Sequence, residues 1–143
     1  MTTPEIIPIL QLAVSPVILI SSVGLLLLTM NNRMAHSIDR ARLLARESST
    51  VSAEAREKID FQIAVIYRRA KLIRQSIVFI TLSALSSAIL VISLFVTALL
   101  GFDIAWLYSI CFIVALLCLT VGLTLIIWEV NDSLVALQKE LEK

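Results

Sequence analysis

Residues 31–74 form the most highly charged segment of the chain and read NNRMAHSIDRARLLARESSTVSAEAREKIDFQIAVIYRRAKLIR. They carry 10 of the chain's 12 Lys and Arg residues together with 5 acidic residues, and an uncharged apolar run lies on each side of them. Lysine and arginine are retained on the cytoplasmic side of membranes, so this segment sets the orientation of the chain. It also supplies the largest surface that water can reach.

The composition predicts a membrane protein. Of 143 residues, 59% are hydrophobic and 16% are charged, and mean hydropathy is +0.95, which is too apolar for a soluble domain of this length. Uncharged runs occupy residues 6–30, 75–102 and 104–128. Each has about 25 residues, whereas roughly 20 suffice to cross a ~30 Å hydrocarbon layer. We therefore predict an all-α membrane protein with three transmembrane helices.

Charge predicts the orientation of these helices. Residues 1–5 and 101–103 contain no Lys or Arg, whereas residues 31–74 have a net charge of +5. The N-terminus is therefore expected outside, with residues 31–74 and the C-terminus in the cytoplasm. The first run is expected to stay in the mature protein, because no basic residue precedes it and no small-residue cleavage site follows it.

Apolar residues in the charged segment repeat at helical spacing. The first stripe is Met34, Ile38, Ala41 and Ala45, and the second is Ala55, Ile59, Ile63, Ile66, Ala70 and Ile73. The mostly polar segment at residues 47–52 predicts a turn between them, with Ser52 as the N-cap of the second helix. Because no Gly or Pro intervenes, residues 31–74 are predicted to form a cytoplasmic helical hairpin that continues the first two spans.

The tail at residues 129–143 has a net charge of −2 and a third apolar stripe. This stripe consists of Val130, Leu134, Leu137 and Leu141. We expect the tail to be a cytoplasmic C-terminal helix that packs on the hairpin and completes a three-helix bundle.

Hydroxyl side chains mark the second span. The packing or pore-lining candidates are Ser83, Ser86, Ser87, Ser93 and Thr97. Small hydroxyl residues let membrane helices approach closely, which favours helix packing within one subunit or between copies. The alternative is a homo-oligomeric channel lined by this stripe. Such a pore needs several copies, because three spans are too few to enclose it.

Charged residues near the span ends are the other candidates. A basic cluster suited to anionic lipid headgroups comprises Arg68, Arg69, Lys71 and Arg74. Glu129 follows the third run, at the level where Arg33 and Arg74 emerge, and an interfacial ion pair is expected there. The candidates for a structural clasp between helices are Arg33, Asp39, Arg42 and Glu129.

Pro16 lies inside the first run and removes a helical hydrogen bond, which predicts a bend. The favoured interpretation is a bend that shapes packing, and the alternative is an ion or substrate site at a broken helix.

Groups that carry chemistry are sparse. Cys111 and Cys118 lack CxxC spacing and a His partner and are predicted to be packing residues. His36, the only histidine, is predicted to be solvated, with pH sensing as the alternative. No charged residue lies within the spans, which argues against a proton relay. We predict no enzyme activity, no cofactor, no metal or catalytic site and no nucleic-acid partner.

Several short motifs point to a known family. They are Ser15-Pro16, Ile20-Ser21, GLLLL at residues 24–28, Asn32-Arg33 and IDRAR at residues 38–42. Together they resemble a bacterial family of small membrane proteins known as domain of unknown function 2721. The resemblance implies a bacterial inner-membrane protein, and no catalytic residues carry over from it. We expect a nonenzymatic scaffold or accessory subunit that forms a homo-oligomer or joins a larger membrane complex.

Overall fold

Three long α-helices make up the described part of the chain. The structure, a computed structural model, describes residues 3–100 and 105–141, with side chains described at 7–100 and 105–132. Helix α1 is Thr3–Ser48, α2 is Ala53–Leu100 and α3 is Ala105–Leu141. No strand occurs within these ranges, so the all-α prediction is confirmed.

Each helix is long and apolar enough to cross a membrane. The qualifying stretches lie in Ile7–Ser48, Ala53–Leu100 and Ala105–Asp132, which confirms the prediction of three apolar helices of spanning length. Only 17%, 22% and 11% of their most apolar windows are buried within the chain. Most of the apolar surface must therefore be covered by lipid or by other protein.

Helices α1 and α2 pass from apolar into charged sequence without interruption. Helix α1 continues through Met30 and α2 runs through Arg74, as the lack of Gly and Pro there predicts. At ~1.5 Å per residue, each is about 70 Å long, more than twice the ~30 Å hydrocarbon layer. Both helices are therefore long enough to cross the layer and still project beyond it.

The turn between α1 and α2 falls within the predicted polar cluster. The backbone N–H groups of Ser49 and Thr50 donate to the carbonyls of Arg46 and Glu47 at 3.3 and 3.0 Å. The two hydroxyls donate to the same carbonyls at 2.6 and 2.9 Å. Because the last carbonyls of a helix lack intrahelical partners, these bonds satisfy the C-terminal end of α1.

Helix α2 begins where the N-cap is predicted. The carbonyl of Ser52 accepts the N–H of Arg56 at 3.0 Å, which is the first helical hydrogen bond expected of an N-cap residue. Glu54 lies in the first turn, where a negative charge interacts favourably with the helix dipole.

The described residues pack into two compact units. The first, here called the apolar unit, comprises the described parts of Met1–Leu27 and Val78–Val121. Its buried residues are Ala13, Pro16, Val23, Ile80, Ser83, Ser87, Leu90 and Ala115. Small side chains are frequent among them, which permits close approach of helix backbones.

The second, here called the charged unit, comprises the described parts of Leu28–Ile77 and Gly122–Lys143. Its buried residues are Met30, Ile59, Ile73, Ser76, Gly122 and Glu129. This core therefore contains a carboxylate among apolar and small side chains.

The inward face of α1 in the charged unit differs from the predicted stripe. Ile38 is 41% exposed and Ala45 is also exposed. The less exposed face instead includes Met30, Met34, Ser37, Ala41, Leu44 and Ser48. Ser37 fits there because its hydroxyl donates to the Arg33 carbonyl at 3.0 Å, so its polarity is satisfied within the helix.

The predicted stripe of α2 fits better, since Ile59 and Ile73 are 9% and 2% exposed. On the tail, Val130 is 39% exposed. The side chains of the other tail-stripe residues and the predicted turn at residues 101–103 lie outside the described residues.

Candidate functional site

A buried carboxylate, that of Glu129, lies in the core of the charged unit. Its side chain is 1% exposed. Arg33 places Nη2 at 2.5 Å from Oε2, and Arg69 places Nη2 at 3.3 Å and Nε at 3.4 Å from Oε1. These residues belong to α1, α2 and α3, so the ion pairs join all three helices. We call Arg33, Arg69 and Glu129 the clasp.

The clasp compensates the burial of its charge. Removing an ion from water costs several kcal/mol of hydration free energy, which oppositely charged partners must offset. Here each carboxylate oxygen of Glu129 faces a guanidinium nitrogen. Arg69 donates two hydrogen bonds, whereas the closer contact with Arg33 is an ion pair without well-directed hydrogen-bond geometry. Both arginine side chains are 33% exposed and keep part of their hydration. The clasp carries a net charge of +1.

The second arginine of the clasp differs from the one expected. From the sequence we expect Arg33 and Arg74 beside Glu129, but the structure places Arg69 there and leaves Arg74 exposed. Five residues correspond to about 140° around a helix, so Arg69 and Arg74 face different sides. A signal exists in the sequence, since Arg69 is in register with the apolar stripe at Ile66 and Ile73.

The other residues singled out in the sequence do not belong to the clasp. Asp39 and Arg42, named as clasp candidates, are exposed on α1, as is His36. Cys111 and Cys118 are free, half-buried thiols of α3. Within the described residues, no group of three or more His, Cys, Asp and Glu side chains could hold a metal ion.

A groove of about 540 Å³ also lies in the charged unit. It is lined by Arg68, Lys71, Leu72, Gln75, Trp128, Asn131 and Asp132. On α2, Lys71 and Leu72 lie three and four residues after Arg68, and Gln75 lies one further turn along; on α3, Asn131 and Asp132 lie three and four residues after Trp128. Residues at these spacings share one side of a helix, so one face of each helix forms a wall. Arg68 Nε is 3.6 Å from Asp132 Oδ2, and these side chains are 76% and 38% exposed. This pair is therefore looser and more solvated than the clasp.

The predicted headgroup cluster is divided by this arrangement. Arg68 and Lys71 line the groove, Arg69 is bound to Glu129, and Arg74 is exposed without lining the groove. Adjacent residues of a helix point about 100° apart, which explains how neighbouring cations reach different surroundings.

The hydroxyl stripe of α2 lies in the apolar unit, mostly turned inward. Ser83 and Ser87 are 0% and 1% exposed, and Ser86, Ser93 and Thr97 are half-buried. Ser87 donates to the Ser83 carbonyl at 3.0 Å, and the Thr97 hydroxyl is hydrogen-bonded to that of Tyr108 on α3.

Ser83 itself is exceptional among these hydroxyls. Within the part of the chain that the structure describes, its Oγ has no hydrogen-bond partner. A buried hydroxyl in this state is unfavourable, whereas its small size permits close approach of helix backbones.

Comparison with known proteins identifies one family. A family model described as "Protein of unknown function (DUF2721)" matches residues 13–139, which confirms the resemblance inferred from the sequence. Neither curated proteins nor solved structures gave a significant match to this chain. The matched range includes the clasp, the groove and the hydroxyl stripe.

Proposed function

This chain belongs to the DUF2721 family of proteins of unknown function, and we propose that it is a nonenzymatic membrane protein that assembles through its helices. It acts as a scaffold or as an accessory subunit, either by self-assembly or by joining a larger complex in the bacterial inner membrane. Residues 31–74 and the C-terminus face the cytoplasm.

The observation that carries this proposal is an exposed apolar surface outside the uncharged runs. Phe61 and Tyr67 of α2 are 71% and 73% exposed, and Ala64 between them is exposed too. We call Phe61, Ala64 and Tyr67, which together extend over about 120° of the helix circumference with Ala64 in the middle, the aromatic strip. Lipid hydrocarbon is not expected to reach this segment, so another protein surface is needed to cover it. Aromatic side chains of this size contribute strongly to protein interfaces.

The clasp supports a structural role for the charged unit. Both oxygens of Glu129 are held by guanidinium groups, which disfavours a role as a general base and favours a role in fixing three helices together. Fixed helices present the aromatic strip in one defined geometry, and this preorganisation lowers the entropy that a partner must lose on binding.

A channel is the alternative function and draws less support. Ser83 and Ser87 are buried within the chain, so they are unavailable to line a pore formed between copies. Ion flux through liposomes that is abolished by Ser86→Leu and Ser93→Leu would favour the channel.

Two single substitutions, each of which removes one aromatic ring, test the scaffold proposal. Phe61→Ala removes a ring from the aromatic strip, and Phe112→Ala removes one from the third uncharged run, where Phe112 is 43% exposed and hydrocarbon can cover it. The full-length protein is purified in mild detergent, and particle mass is measured by light scattering after size exclusion.

The wild type is expected to form an oligomer or to copurify with a partner. Phe61→Ala shifts the particles towards single chains, whereas Phe112→Ala leaves their mass unchanged, with helix content checked by circular dichroism. A wild type that is strictly monomeric without a copurifying partner would contradict the proposal, as would equal effects of the two variants.

A further inference from the structure

The groove of the charged unit lies where charged and uncharged sequence meet on both of its walls. On α2, Lys71 precedes the second uncharged run and Gln75 begins it; on α3, Trp128 ends the third uncharged run and Asn131 follows. Tryptophan favours this interfacial level of a membrane. We propose that the groove binds the headgroup of one anionic phospholipid, with its phosphate at Lys71 and Arg68 and its glycerol region beside Trp128.

The cations of the groove are available to a ligand. Lys71 is exposed, and no ion pair to it occurs within the described side chains. Arg68 pairs with Asp132 at 3.6 Å and is 76% exposed, an arrangement that stabilises little. The groove therefore has a net charge of +1, which complements the single negative charge of a phosphodiester.

The neutral groups of the groove match the rest of a headgroup. The amides of Gln75 and Asn131 each offer N–H donors to ester oxygens and a carbonyl acceptor to glycerol hydroxyls. The indole of Trp128, 63% exposed, offers an apolar face to the start of the acyl chains. The neighbouring Arg69 is excluded, because its guanidinium is engaged by Glu129. Binding thus depends on two members of the basic cluster rather than on its total charge.

Trp128 itself reports on the occupant. The chain has 2 tryptophans, so Trp106→Phe leaves Trp128 as the sole tryptophan, whose indole can be excited selectively. The full chain is reconstituted in phosphatidylcholine vesicles in which a fraction of the lipid is replaced by brominated phosphatidylglycerol or by equally brominated phosphatidylcholine. Bromine quenches indole fluorescence only at close range. Brominated phosphatidylglycerol is expected to quench more strongly at equal mole fraction.

Lys71→Gln and Lys58→Gln form the matched pair of variants. Both remove one exposed lysine charge from α2, but only Lys71 lines the groove. A basic residue at the membrane surface contributes enough for about a fivefold change in affinity. Lys71→Gln is therefore expected to lower the preference for phosphatidylglycerol about fivefold, and Lys58→Gln to leave it unchanged.

Inorganic phosphate distinguishes a lipid from a free anion. Phosphate added at constant ionic strength is expected to leave the extra quenching intact, because the acyl chains hold the lipid in place. Reversal of the extra quenching would assign the groove to a soluble phosphate and overturn the lipid proposal. Equal quenching by the two brominated lipids, or equal losses in the two lysine variants, would overturn it as well.

Discussion

At the residue scale, Glu129 connects the three helices of the charged unit. Its burial would be unfavourable in isolation, because a carboxylate removed from water loses its hydration. Two guanidinium groups from different helices compensate for that loss. The net contribution of a buried ion pair to stability can be small, and we propose that this one specifies which helix faces meet.

Glu129→Gln is expected to lower the free energy of unfolding by about 2 kcal/mol, because charged hydrogen bonds are lost and two guanidinium groups remain close together. Asp132→Asn removes a carboxylate of the looser pair with Arg68 and should cost under ~1 kcal/mol. Both values are obtained from denaturation with sodium dodecyl sulfate in mixed micelles. Equal effects of the two substitutions would refute the importance of the clasp.

Arg69→Gln and Arg74→Gln separate a clasp residue from an exposed one. Arg69→Gln removes two hydrogen bonds to Glu129 and should destabilise by about 1–3 kcal/mol. Arg74 is exposed, and its replacement should change stability by less than ~0.5 kcal/mol. Thermal unfolding followed by circular dichroism measures both. Greater destabilisation by Arg74→Gln than by Arg69→Gln would indicate that Arg74 is the partner of Glu129, as expected from the sequence.

The sequence predicts the contacts of Glu129 only in part. That Glu129 and Arg33 meet follows from their positions at the ends of two uncharged runs. The choice of Arg69 over Arg74 depends on rotation about the axis of α2, which charge position alone leaves undetermined. The position of Glu129 at the end of the third uncharged run predicts an ion pair at the membrane boundary but does not indicate whether the carboxylate is buried.

At the element scale, α2 combines buried serines in the apolar unit with the exposed aromatic strip in the charged unit. Ser83 and Ser87 are one helical turn apart and buried, so they bring other backbones close. Larger side chains at these positions should push the helices apart.

Ser87→Leu is therefore expected to destabilise the protein by about 1–3 kcal/mol through overpacking. Ser109→Leu is the matched control, since Ser109 also donates to its own helix, at 3.2 Å to the Ala105 carbonyl, but is exposed. The control should change stability by less than ~0.5 kcal/mol. Unfolding midpoints in the same detergent provide the comparison, and equal midpoints for the two variants would refute close packing at Ser87.

Helical continuity is the property of these elements that the sequence predicts best. Uninterrupted helix formers across Met30 and Arg74 predict the lengths of α1 and α2 within a few residues. The predicted inward face of α1 differs from the observed one, because hydropathy favours Ile38 whereas the structure turns Ser37 inward. A serine that bonds its own backbone can occupy a packed face, and apolar periodicity does not detect it.

At the scale of the whole molecule, charge segregation is the dominant feature. With 10 of 12 basic residues in one segment, we expect that segment and the C-terminus on the cytoplasmic side. A reporter fused after Lys143 should behave as cytoplasmic in assays of enzyme activity on intact cells. Periplasmic activity of that fusion would contradict the orientation.

Three apolar helices and the family could be predicted from composition, run length and short motifs. The groove could not be, because it depends on which faces of α2 and α3 meet within the charged unit. Its lining residues look ordinary in the sequence, where Arg68 and Arg69 are indistinguishable neighbours. Only side-chain placement separates the residue that binds Glu129 from the one that lines the groove.

If the chain assembles through its helices, particles extracted from the native membrane contain more than one protein subunit. The wild-type chain is extracted with its surrounding lipid, and the mass and composition of the particles that contain it are measured by native mass spectrometry. We predict particles with several copies of the chain or with a stoichiometric partner protein. Particles containing one copy of this chain and no other protein would show that it does not assemble.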